Sequence, residues 1–489
     1  RSAPRYSESL RRGLAEGLAL LATRPDCVRQ HVNPSAFAQG IVREIFGPAP
    51  NPARWYSLAS VLRVLAEASP DEFLNAVERD VIGDPGVRAV LFEEEGMFGG
   101  SRHTELLWAM ETLAWSPEYL SRAAVVLATL ATHDPGGRTS NRPHASLRTI
   151  FLPWLPHTTA DVSQRLAAID AVHRREPDIA FDLCMRLMPQ QLDNVTPTPA
   201  PRWRRWNVDR RREASECEYF DAIEGAFDRA LDWAQENEDR WCRLVDPVPT
   251  VEPERVARLI ERLEGLPLEM MANQGTGGRR RAIRRLLQQR RTIEGSFQHL
   301  SPLHVNRLEA IYERLRPCDL VACHAWLFDT RPDLLTVTGN DWREEQAACG
   351  RERDAVIGAI LETEGDDCLL RLAISAEVPF AVGHHMGRSA ISDSKIADFL
   401  VMTLSREAAR QSCFRGIVCG RFNSDGWRWV HGLFTSDPFR NWSVEDKAQF
   451  ALALPFDSAT WDWIENWGEE AAREYWAEAG SHWMTEAAR

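Results

Sequence analysis

The chain has 489 residues, more than one compact core usually holds, so roughly two to four domains or a repeat array are expected. Its 44% hydrophobic and 26% charged content excludes a wholly disordered chain, and its longest nearly apolar run, residues 123–132, is about half of what a membrane span needs. With 58 basic and 71 acidic residues the formal net charge is −13, which argues against a protein built mainly to coat nucleic acid.

Lys395 and Lys447 are the only lysines, and the arginine bias that results reads as genome composition rather than binding chemistry. The sequence begins at Arg1 without a signal-peptide pattern and is read as an internal piece of a longer polypeptide. None of its ten cysteines forms a C-x-x-C pair. Reduced thiols in a cytoplasm are therefore expected.

Helical periodicity dominates from the start. Ser69-Pro70-Asp71 reads as a cap with proline at the first helical position, followed by the stripe Phe73, Leu74, Val77 and Val81. Leu106, Leu107, Met110, Leu113 and Ala114 form the next stripe, and Ser116-Pro117 opens a helix carrying Leu120, Ala124, Leu127 and Leu130. Ser69 and Ser116 are 47 positions apart, close to the period of two-helix solenoid units of about 40–47 residues. Segment 133–158 is irregular: Asp134-Pro135-Gly136-Gly137 ends one helix, Asn141-Arg142-Pro143 starts another, and Pro153-Trp154-Leu155-Pro156 stops it. It reads as an inter-repeat connection stapled by Phe151 and Trp154, ahead of a ligand-contacting role for Asn141 and Arg142.

Further along, helices are expected over 160–175, 222–237, 253–263 and 279–293, with a long loop over 190–201 and a glycine-rich joint over 273–278. Ser301-Pro302-Leu303 repeats the serine–proline device before Val305, Leu308, Ile311, Tyr312 and Leu315. Helices then follow over 344–362, 367–378, 395–404, 408–418, 444–452 and 458–478; period-two alternation is almost absent, and residues 334–337 are the best short strand candidate. The expected fold is all-α, an α-solenoid of stacked helix–turn–helix (HEAT/TPR-like) repeats. Composition divides it into a helical segment 1–100, an array 101–330 with arginine-rich loops, and tryptophan-rich repeats 331–489.

Chemistry-bearing motifs are sparse. Gln274-Gly275-Thr276-Gly277-Gly278 lacks the preceding strand and the following Lys-Ser/Thr of a P-loop, so a helix joint is the better reading. Cys318, Cys323 and His324 do not match zinc spacing, and His324 reads as a packed histidine with a backbone partner. His384 and His385 are neighbours about 100° apart on a helix and do not share an ion comfortably. No nucleophile elbow or zinc-protease motif occurs. No catalytic, cofactor-binding or metal-binding residue is assigned. Two arginine runs remain: Arg202-Trp203-Arg204-Arg205-Trp206 with Arg210-Arg211-Arg212, and arginines 279, 280, 281, 284, 285, 290 and 291. Guanidinium with indole can grip phosphates and bases, or pair with acids on neighbouring repeats.

The blocks Asp134-Pro135-Gly136-Gly137-Arg138, Asn141-Arg142-Pro143 and Ile150-Phe151-Leu152-Pro153-Trp154 resemble the helical-repeat region of large bacterial anti-phage defence proteins, many of them STAND-type (NLR-like) NTPases. The resemblance continues at Pro201-Arg202-Trp203-Arg204, at Asp319-Leu320-Val321-Ala322 with His324-Ala325-Trp326-Leu327-Phe328, and at Gly420-Arg421-Phe422 with Asp425-Gly426-Trp427. It closes at Leu454-Pro455-Phe456-Asp457, Thr460-Trp461 and Gly468-Glu469-Glu470, spanning most of 101–489.

The resemblance implies a cytoplasmic, non-enzymatic sensor. It would bind a viral protein and relay this to NTPase and effector domains elsewhere in its polypeptide, with oligomerisation; ATP and magnesium are implied only for those domains, and no membrane is involved. Arg202, Trp203, Arg204, Arg205, Trp206, Arg280, Arg284, Trp427 and Trp461 are the candidate partner contacts. Most C-terminal tryptophans are expected to stack between helices. The alternatives are an arginine-rich nucleic-acid scaffold and an enzyme whose site needs residues outside the chain.

Overall fold

The structure, a computed structural model, describes residues 6–24, 33–93, 102–189, 195, 197–206, 214–235, 237–246, 252–266, 277–292, 300–335 and 342–479. Among these residues all regular structure is helical, and no helix is long and apolar enough to cross a membrane. The fold is all-α. Arg210-Arg211-Arg212, Asn273–Thr276 of the glycine-rich joint, half of loop 190–201, Thr336 and Val337 of the strand candidate and Trp483 lie outside the described residues, as do the side chains of Arg290 and Arg291.

The chain forms two compact units, Arg1–Leu244 and Val245–Arg489. The first contains α1 (Glu8–Thr23), α2 (Pro34–Phe46), α3 (Pro52–Leu58), α4 (Leu62–Ala68), α5 (Pro70–Ala76, prolonged by a wide turn to Ile82) and α6 (Pro85–Phe92). It continues with α7 (His103–Ala114), α8 (Pro117–Thr132), α9 (Pro143–Phe151), α10 (Val162–Arg175), α11 (Pro177–Arg186), α12 (Glu216–Ala234) and α13 (Glu238–Val245). Polar caps start many of them: the side chains of Asn33, Asn51 and Asp84 accept first-turn amides. Asp161 with Gln164 and Ser215 with Glu218 form reciprocal capping boxes.

Two rows of helices result. Helix α4 packs on α1 and α7 on α4, while α5 packs on α2 and α8 on α5; α10 and α11 then cover α8. Each apolar stripe finds its cover in the following pair, as a repeat fold requires. Polar side chains mark the same step. Arg122 on α8 donates to Glu78 and Asn75, 44 and 47 positions earlier, at 2.9 and 2.8 Å. Thr129 and Thr132 donate to Glu176, 47 and 44 positions later, at 2.9 and 3.0 Å.

The second unit contains α14 (Pro253–Glu264), α15 (Gly277–Thr292), α16 (Pro302–Arg314), α17 (Leu320–His324), α18 (Trp342–Thr363), α19 (Asp366–Ser375), α20 (Pro379–Arg388) and α21 (Asp393–Thr403). Then come α22 (Ala408–Leu433), α23 (Val444–Ala451), α24 (Ser458–Glu465) and α25 (Glu469–Glu478). Helices α20 and α22 cross with their backbones almost in contact. A Cβ on Gly383 would lie 2.0 Å from the Cys413 carbonyl oxygen, and one on Gly387 2.3 Å from that of Ile417. From the other side, a Cβ on Gly416 or Gly420 would lie 2.2 Å from the carbonyl oxygen of Phe380 or His384. Phe434 centres the last core, with ring centroids 5.0–6.0 Å from Phe439, Trp442, Phe450, Trp463 and Trp467.

Several boundaries differ from those read in the sequence. The segment 458–478 is two helices, because Gly468 adopts φ 107° between them. Helix α22 runs on to Leu433, past residue 418, with a break at Gly426 (φ 60°). Helix α19 ends at Ser375, and Val378 leaves the helical region (φ −119°, ψ 81°) because Pro379 opens α20.

Candidate functional site

The irregular segment after α8 forms the wall of a cleft of about 730 Å³ in the first unit. Trp108 and Glu111 of α7 supply its floor. The loop from Asp134 to Arg142 and the helix α9 side chains His144, Ser146 and Arg148 supply its walls, with Arg186, Pro197 and Thr198 closing it. The loop is held from several directions. Arg142 pairs with Asp134, its Nε 2.9 Å from Oδ2, and donates to Thr139 Oγ1 at 3.3 Å. The Gly136 amide donates to Asp134 at 2.9 Å, which supports the left-handed turn at Gly136 (φ 74°). His103 Nε2 lies 2.9 Å from the Asn141 carbonyl oxygen while its ring stacks on Phe92 at 4.7 Å. Arg142 is therefore engaged within the connection that it shapes. Phe151 is buried and Trp154 half-buried at the far end of the segment.

Glu111 is the cleft's chemical centre. It is 4% exposed, and burial pushes its carboxyl up to about 7 against the hydrogen bond from Ser146. The Ser146 hydroxyl lies 2.5 Å from its Oε1. His144 is held below the ordinary histidine range by burial, with Asp182 at 3.5 Å acting the other way. Thr198, 5% exposed, turns a hydroxyl without a hydrogen-bond partner into the same wall. The cleft thus holds a carboxyl that keeps its proton to higher pH than an ordinary glutamate and a hydroxyl, with Arg148 and Arg186 at its rim. The sequence carried a signal for Glu111: it lies four positions after Leu107, on the apolar stripe of its helix.

The first arginine–tryptophan run lies elsewhere in the same unit, against α4. The carboxylate of Glu67, 2% exposed, accepts the backbone amides of Arg202, Trp203 and Arg204 at 3.1, 2.6 and 3.0 Å. Arg204 returns a bond to the Glu67 carbonyl oxygen at 2.7 Å and lies over the Trp206 ring. Trp206 packs 5.6 Å from Tyr119. Arg202, over Trp203, pairs with Glu16 at 3.0 Å. Arg202 and Arg205 are exposed, and Trp203, Arg204 and Trp206 are half-buried.

In the second unit Arg280 and Arg284 are 6% and 2% exposed. The guanidinium of Arg280 lies 4.1 Å over Tyr312, and that of Arg284 3.6 Å over Trp326. They are interior packing groups, not a surface for phosphates. Arg281 and Arg285 meet Asp329 and Asp246 at 3.2 and 3.3 Å. Trp427 is half-buried between Phe422, His431 and Trp463, and Trp461 between Phe456 and Trp476. His385 bonds Asp354 at 2.7 Å, whereas His384 stacks on Phe380. Half-buried His324 borders a cavity rather than a filled core. Among the described residues no group of three His, Cys, Asp or Glu side chains is placed to hold a metal ion.

Comparison with family models, with curated proteins and with solved structures finds no match to this chain.

Proposed function

We propose that the chain is a helical-repeat recognition module that takes a segment of a protein partner into the Glu111 cleft, with no catalysis of its own. The cleft carries this reading. Its volume of about 730 Å³ suits several side chains of a partner, and its polar lining, Glu111, Thr198, Arg148 on the Arg186 carbonyl oxygen at 3.1 Å and Arg186 paired with Asp182, suits backbone carbonyls and a carboxylate. The resemblance to anti-phage sensor arrays makes a phage protein the partner class to test, and a relay to NTPase and effector domains its consequence. The nucleic-acid reading is weaker because Arg279, Arg280 and Arg284 are buried and Arg281 and Arg285 meet acids.

The test is capture from a panel of individually expressed phage proteins by the 489-residue protein. One retained protein is expected, lost when Arg148→Glu and Arg186→Glu are combined and kept when exposed Arg205 is changed to Glu. Retention of none, or retention indifferent to the cleft substitutions, overturns the proposal.

A further inference from the structure

A cleft of about 860 Å³ opens in the second unit between residues 330–334, α18 and α20. Its charged lining is Arg331, Arg353 and Arg388 against Asp333 and Glu345. Arg353 of α18 is half-buried and donates from Nε and Nη2 to the carbonyl oxygens of Leu327 and Asp329 at 2.9 and 3.2 Å. It meets no acid among the described residues. His385, 6% exposed, lines the same cleft from α20, one turn before Arg388. Its Nδ1 donates to Asp354 Oδ1 at 2.7 Å, and Arg388 Nη2 lies 3.7 Å from the other oxygen of that carboxylate. Because a carboxylate only accepts, Nδ1 holds the ring proton and Nε2 keeps a lone pair. Burial, joined by the charges of Arg353 and Arg388, holds the ring below the ordinary histidine range against the pull of Asp354. Among the described residues Nε2 has no hydrogen-bond partner. Helix α18 carries Gly350 opposite this edge of the ring, where a Cβ would lie 3.9 Å from the adjoining Cε1.

We propose that this cleft binds a hydrogen phosphate group, free or as the end of a small phosphomonoester, its P–O–H donating to His385 Nε2 and its anionic oxygens accepting from Arg353 and Arg388. A lone acceptor set among guanidinium groups suits an anion that still carries a proton: charge draws it in, and the lone pair requires a donor. Phosphate and its monoesters titrate near neutrality and supply that proton. Sulfate, of the same shape, and phosphodiesters do not. Trp342, 59% exposed at the rim, gives the organic part of a monoester an apolar wall. The Glu111 cleft belongs to the first unit and is a different site.

The experiment is isothermal titration calorimetry of the 489-residue protein at pH 7 with inorganic phosphate, glycerol 3-phosphate, sulfate and dimethyl phosphate. The first two are expected to bind at one site, the tighter of them naming the source of the group. The last two are expected to bind about tenfold more weakly or not at all, since they leave a buried acceptor unpaired. Exposed Arg388 changed to Gln is expected to weaken phosphate about tenfold, with circular dichroism unchanged. Asp354→Asn releases the ring proton from Nδ1 to Nε2 and is expected to erase the preference for phosphate over sulfate, which a merely structural Asp354 would leave intact. No binding of phosphate, sulfate bound as tightly as phosphate by the unaltered protein, or phosphate binding indifferent to both substitutions overturns the proposal.

Discussion

Glu67 shows how one residue fixes a segment far away in sequence. Three backbone amides, 135 to 137 positions later, converge on its buried carboxylate. Charge-assisted bonds of this kind are about twice as strong as neutral ones. Glu67→Ala is expected to cost about 2–4 kcal/mol of stability, because it strands those amides as well as losing the bonds, and to expose residues 202–206 to trypsin. Urea unfolding and limited proteolysis check both. Glu111 gives a pH signature. Its carboxyl, raised from 4.5 to about 7, binds a proton more tightly in the folded protein than in the unfolded chain. Its contribution is therefore full below about pH 4.5 and lost as pH rises through about 7, at most about 3 kcal/mol in all. Glu111→Gln is expected to flatten this part of the stability profile measured between pH 4 and 8. Neither role was fully readable beforehand. The arginine–tryptophan run stood out in the sequence, but the acid that engages it is set by tertiary packing and by nothing local.

At the scale of the helix, proline was the dependable signal. Pro70, Pro117 and Pro302 each occupy a first helical position, as their serine–proline pairs suggest. The serines behave differently. Ser301 accepts the His304 amide at 3.2 Å, whereas Ser69 and Ser116 make no side-chain cap bond. Ser69 is the single residue between α4 and α5, C-cap of one and N-cap of the other, with ψ at 87° and no side-chain cap bond. The α20–α22 crossing was not legible, because glycines spaced by four read as weak helix in a sequence until a second glycine pair is set against them. Gly383→Ala is expected to destabilise the fold by about 3 kcal/mol or more, its Cβ having a backbone carbonyl and no flexible side chain to displace. Gly358→Ala, in open space on α18, is expected to stabilise by about 0.5–1 kcal/mol. Thermal melts of the two variants should therefore shift in opposite directions.

Over the whole chain the 47-residue step read from two serines recurs in the polar pairs that join α8 to α5 and to Glu176. Architecture was legible because periodicity is a local property, repeated. The use of charge was not. Of the arginines that suggested a phosphate-binding face, Arg202, Arg204, Arg280 and Arg284 are spent on ring faces, carbonyl oxygens and acids, consistent with a net charge of −13. Mobility-shift assays with single- and double-stranded DNA and with RNA are expected to show no complex even at low salt, where phosphate contacts would be strongest. The ion pair between Asp134 and Arg142 has a kinetic consequence. A loop already tethered before a visitor arrives gives up little conformational freedom on capture, so association should follow simple one-step kinetics limited by encounter. Cutting the tether with Arg142→Ala should slow that step and make its rate level off at high partner concentration.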